Sequence, residues 1–136
     1  MSFLKKVKAK YVVQADAYAD KILKGYLEAL LFAESDGEDP LDKNYSIDDL
    51  SSELVEKSKK DIEKFVKTVE KEGVDLSNYN PEQIGHDLLL TRNRHGAGFL
   101  DGDYEEPDES IFDKAAKSLR EVQPYVGDDG KIYTDY

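Results

Sequence analysis

The chain has 136 residues, 39% apolar and 36% charged, a length that suits one domain with a modest core. Thirty acids against nineteen bases give a net charge of −11, which opposes binding to nucleic acid or anionic membrane and draws basic partners by long-range steering. The absence of cysteine excludes disulfides and thiolate metal sites and fits a reducing cytoplasm.

Lys5, Lys6, Lys8 and Lys10 open the chain with no acid among them, and residues 1–13 read as a basic, flexible segment of a single 1–136 domain. No apolar stretch follows them as in a signal peptide, and no run reaches the roughly eighteen apolar residues of a membrane span. The first helix is expected over residues 15–35, where Ala19, Ile22, Leu23, Tyr26, Leu27, Leu30 and Leu31 recur at three- and four-residue steps. Gly25 interrupts this stripe, which costs about 1 kcal/mol against alanine unless another helix packs closely there. The run SDGEDP ends it.

Ser46 and Asp49 have the spacing of an acidic capping box. They precede a long helix whose stripe is Leu50, Leu54, Val55, Ile62, Phe65, Val66 and Val69, with Gly73 as its stop. Asn80 followed by Pro81 is a strong helix start, and Ile84, Leu88 and Leu89 should face inward. A short strand is expected at residues 98–100, then a fourth helix, capped by Asp108 or Ser110, through about Val122. The terminal YVGDDGKIYTDY reads as a hairpin turning on Asp129-Gly130. The fold class is therefore α+β and mainly α, with about four helices and a small antiparallel hairpin.

Residues 85–103, GHDLLLTRNRHGAGFLDGD, hold both histidines and two of the three arginines. A catalytic reading takes His86 or His95 as general base, a carboxylate (Asp87 or Asp101) to orient it, and Arg92 beside it. The segment offers no nucleophile, since cysteine is absent and no serine sits in a G-x-S-x-G elbow. His86, His95 and Asp101 match no familiar metal spacing, so neither metal nor cofactor is expected. The structural alternative is a joint: basic residues suit the negative end of a helix, and Gly96, with positive φ, and Gly98 let the chain turn away. In that reading His95 bonds a backbone carbonyl, and His86 is half-exposed.

The T-R-N-x-H-G-A-G-F run at residues 91–99 resembles a family of small acidic bacteriophage proteins, as do, more weakly, YLEALLF…PLDKNYSIDDLS and the terminal YVGDDGKIY. The resemblance implies a phage origin and one small domain in the cytoplasm of an infected cell; it brings no activity with it.

Acids gather in two clusters: Glu34, Asp36, Glu38, Asp39, Asp42, Asp48 and Asp49, then Asp101, Asp103, Glu105, Glu106, Asp108 and Glu109, with Asp113 just beyond. On one surface they could imitate the phosphates of DNA and occupy the groove of a nuclease, repressor or other nucleic-acid-binding host protein. The expected function is thus a phage-encoded host-interaction protein that inhibits a basic partner. The alternatives are a small ligand-binding or hydrolytic module built on residues 86–101, and a nucleic-acid accessory protein gripping through the N-terminal lysines with Arg92 and Arg94. Net charge argues against direct nucleic-acid binding.

Overall fold

The computed structural model describes the backbone of residues 3–135 and the side chains of residues 17–135. Four helices and one two-stranded antiparallel sheet make up the fold: α1 (Phe3–Ala33), α2 (Ser52–Lys71), α3 (Pro81–Arg92), α4 (Asp108–Lys117), β1 (Gln123–Val126) and β2 (Ile132–Asp135). The helix expected from residue 15 thus begins at Phe3; the side chains of the four N-terminal lysines lie outside the described residues. Among the described residues no helix is long and apolar enough to cross a membrane.

The predicted stripes are the core. Ile22, Tyr26, Leu30, Leu54, Ile62, Phe65, Ile84, Leu88 and Leu89 are all buried, with Leu23, Val55 and Val66 packed at the margin. Helices α1 and α3 cross backbone against backbone. A Cβ on Gly25 would stand 2.0 Å from the Glu82 carbonyl oxygen, and one on Gly85 1.9 Å from that of Ile22. Gly25 is therefore the close-packing glycine that its place in the stripe allowed. Phe99 stacks on Phe112 at 4.8 Å beside Phe65, so the end of the glycine-rich run fills the space between α2 and α4.

Several expectations need correction. The Ser46–Asp49 signal works locally, with the Ser46 amide donating to Asp49 at 2.9 Å, but it caps a 3-10 turn, Ile47–Asp49. Helix α2 has its own N-cap, Ser51, which accepts from the Leu54 amide at 3.1 Å. Residues 98–100 are a turn rather than a strand, because the Phe99 amide goes to the Thr91 side chain at 3.0 Å. Helix α4 has Pro107 as N-cap with no side-chain cap, and it stops at Lys117. Beyond it the Arg120 carbonyl is taken by Arg92 and the Val122 amide by Asn93, and both bonds compete with helix continuation.

The hairpin forms with Tyr125 opposite Tyr133 and Val126 opposite Ile132. Its loop is longer than a two-residue turn. The Gly127 amide donates to Lys131 at 2.8 Å, Asp128 and Asp129 occupy the bend, and Gly130 (φ 78) is the left-handed residue after them. The sheet joins the body through a parallel bridge between Leu50 and Ile132, and through the Val126 amide donating to Asp36 at 2.8 Å.

Candidate functional site

The run Thr91–Phe99 begins as a helix end. The Arg94 amide donates to Thr91 at 3.1 Å and the His95 amide to Leu90 at 3.0 Å, the paired reverse bonds of a Schellman motif. Helix α2 closes the same way, with Gly73 (φ 100) in the left-handed position. In α3 that position is held by Arg94 (φ 61). The expectation that Gly96 carries the positive φ is wrong by two residues: Gly96 has an ordinary φ, and a Cβ there would meet nothing within 4 Å. The demanding glycine is Gly98 (φ 117), whose Cβ would stand 2.3 Å from Thr91 Oγ1.

The side chains of the run knit the fold. Arg92 is 1% exposed. Its Nη1 lies 2.9 Å from Asp61 on α2 and 3.1 Å from the Tyr26 hydroxyl on α1, while Nε and Nη2 donate to the Arg120 carbonyl at 2.9 and 2.6 Å. The guanidinium makes four hydrogen bonds in fixed directions, one more than the three N–H groups of an ammonium allow. Asn93 exchanges two bonds with the Val122 backbone, at 3.0 and 2.8 Å, and donates to Glu34 at 2.9 Å. Glu34 also takes His95 Nε2 at 2.6 Å, so His95 bonds this carboxylate and not a backbone carbonyl.

The candidate catalytic residues do not converge. His86, half-buried as expected, stacks on Phe32 of α1 with ring centroids 4.8 Å apart. Asp87 is buried, accepting from Gln83 at 3.0 Å and from the Tyr104 hydroxyl at 2.6 Å. Burial, then the bond to Asp87, pushes the Tyr104 phenol well above its usual range, keeping it a donor. Arg92 is sealed in the core, His95 is held by Glu34, and Asp101 lies exposed in the following turn. Each His–Asp pairing in the catalytic reading therefore lacks its contact. Among the described residues no three His, Cys, Asp or Glu side chains are grouped so as to hold a metal ion.

The two acidic clusters diverge. Glu34 ties the first to the C-terminal end of α3, whereas the second runs back along α3 until Asp108 accepts from Tyr79, just before the α3 N-cap Asn80. What meets the first cluster is the hairpin, through Asp36 and Val126 and through Leu50 and Ile132. The hairpin adds Asp128, Asp129 and Asp135 and a stacked pair, Tyr125 on Tyr133 at 5.8 Å. The Tyr133 hydroxyl donates to Asp129 at 2.6 Å, and this bond chiefly raises the phenol to about 12. Ile47, beside Asp48 in the loop, and Tyr125, next to the Val126 that bonds Asp36, are each 43% exposed. Residue-by-residue reading missed the hairpin acids and tyrosines. The signal was available in the alternation that places Tyr125 and Tyr133 on one face of a hairpin.

Comparison with protein-family models, with curated protein sequences and with solved structures finds no match to this chain.

Proposed function

We propose that the protein is a phage-encoded acidic interaction module that binds and inhibits a basic, nucleic-acid-handling host protein. The binding surface is the loop 34–49 together with the C-terminal hairpin. The observation that carries this reading is the junction at Asp36–Val126 and Leu50–Ile132, which joins two acid-bearing segments from opposite ends of the sequence. Exposed Ile47 and Tyr125, with exposed Glu38, Asp42 and Asp48 on the same two joined segments, give the mixture that protein interfaces use. Aromatic and aliphatic anchors desolvate against the partner, and surrounding charge sets encounter rate and partner choice. A basic groove that accepts phosphates would accept such carboxylates. The net charge of −11 steers the approach.

The test is capture of partners from bacterial lysate on immobilised protein, with elution by salt and by duplex DNA. A DNA-binding protein retained at low salt and displaced by DNA is expected. The combined variant Glu38→Gln, Asp42→Asn, Asp48→Asn, Tyr125→Ala should lose it while keeping the parent circular-dichroism spectrum. Recovery of nothing at low salt, or equal retention by the variant, would refute the proposal.

A further inference from the structure

Beside the end of α3, facing α4, lies a shallow pocket of about 280 Å³ whose lining includes Arg94, His95, Ala97, Leu100, Asp113 and Lys117. Its charges are unequal. Lys117 lies 3.0 Å from Asp113, and His95 is held by Glu34, so both have partners. Among the described residues no ion pair engages Arg94, which leaves an exposed guanidinium in a strongly acidic protein. Leu100, at 56%, is the most exposed large apolar side chain among the described residues, and Ala97 is exposed near it.

Backbone geometry makes the identity of Arg94 informative. The chain closes α2 with glycine at the left-handed position and closes α3 with arginine at the equivalent one. The side chain makes no hydrogen bond or ion pair within the described fold that would offset the strain of φ 61. Strain retained at a residue with no structural partner points to a use outside the fold.

From this pocket we infer that the protein binds an apolar carboxylate. The guanidinium takes the carboxylate as a two-pronged hydrogen-bonded pair, and Ala97 and Leu100 cover the apolar part. The fork pairs equally with carboxylate and phosphate; the apolar wall of Ala97 and Leu100 is what favours a carboxylate carrying an apolar group. Asp113 and the nearby Glu34 would repel a doubly charged anion more than a single one. The site touches the loop 34–49 surface through the His95–Glu34 bond, but it shares none of the residues altered to test that surface, so either proposal can fail without the other.

Two sources share the chemistry: the C-terminus of a peptide ending in leucine, and a free branched-chain acid. Nuclear magnetic resonance titration of the isotope-labelled protein with a short leucine-terminated peptide, its C-terminal amide and isovalerate follows the amides of Gly96, Ala97 and Leu100. Saturable shifts with the acid-ended peptide, at least tenfold weaker with the amide, are expected; a comparable response to isovalerate identifies the free acid as sufficient. Arg94→Gly should abolish these shifts while the melting temperature holds or rises, since glycine suits φ 61; Arg94→Lys should retain part of the binding. The assignment is overturned if neither ligand gives saturable shifts, if amide and acid bind alike, if inorganic phosphate binds as well as the carboxylates, or if Arg94→Gly binds like the parent.

Discussion

Replacing Gly25 with alanine tests the closest contact in the fold. In an unconstrained helix the change would stabilise by about 1 kcal/mol, because alanine loses less backbone freedom and is the best helix former. Here the new methyl would sit 2.0 Å from the Glu82 carbonyl oxygen, roughly 1.4 Å inside ordinary van der Waals contact. Neither atom belongs to a flexible side chain, so α1 and α3 must part along their shared length. Ile22, Tyr26, Ile84, Leu88 and Leu89 are each 1% exposed or less, and parting the helices opens gaps among them. Overpacking of a well-filled core costs about 1–3 kcal/mol, and a backbone-on-backbone clash belongs at the upper end. After the propensity gain, a net loss of about 2 kcal/mol remains, a fall of several degrees in melting temperature for a chain of this size. Gly85→Ala should cost a similar amount, since its methyl would stand 1.9 Å from the Ile22 carbonyl. The double variant should lose less than the sum, because one separation of the helices relieves both clashes. Urea denaturation followed by circular dichroism measures all three, with Gly96→Ala as a control that has open space and ordinary φ. A neutral or stabilised Gly25→Ala would refute the close crossing, and strict additivity would refute the shared displacement.

Arg92→Met should destabilise by about 3–5 kcal/mol, because it removes from the interior the guanidinium that joins Asp61, the Tyr26 hydroxyl and the Arg120 carbonyl. A loss under about 1 kcal/mol in the same denaturation assay would mean that water replaces those bonds at little cost. At alkaline pH, burial raises Tyr18 and Tyr79 to about 12, assisted by Asp75 near Tyr18 and by the bond to Asp108 at Tyr79. Folded values above the unfolded one mean that this stabilisation is intact below about pH 10 and is lost as pH rises through about 12. Phenolate absorbance should therefore show a late group titrating together with unfolding; a single wave for all tyrosines near pH 10 would contradict the burial.

Local signals carried the helices. Stripes at three- and four-residue spacing located the C-terminal part of α1 and most of α2, though not where either begins, and Asn80-Pro81 located the start of α3, where Asn80 accepts from the Glu82 and Gln83 amides. Even the close crossing was conditionally legible, as a glycine inside an apolar stripe. Distant partners decided the rest. Nothing near Arg92 in sequence announces Asp61 or Arg120, so a core clamp read as a catalytic candidate. The left-handed position of α3 was assigned to Gly96 because glycine usually holds it, and Arg94 breaks that rule. The end of α4 and the path of residues 98–100 depend on bonds to Arg92, Asn93 and Thr91, which propensity does not encode.

The hairpin has little means of its own to stay ordered, since two short strands alone are marginal in water. Its anchors join residues far apart along the chain, Asp36 and Val126 being separated by 90 positions. Such contacts close long loops and form late, after the helices are in place. The hairpin is thus the natural first unit to peel away, and its amides should exchange with solvent faster than those of α3. A partner that touches both the loop and the hairpin would then slow exchange at Val126 and Ile132, reporting its own binding through the backbone hydrogens of the chain's last element.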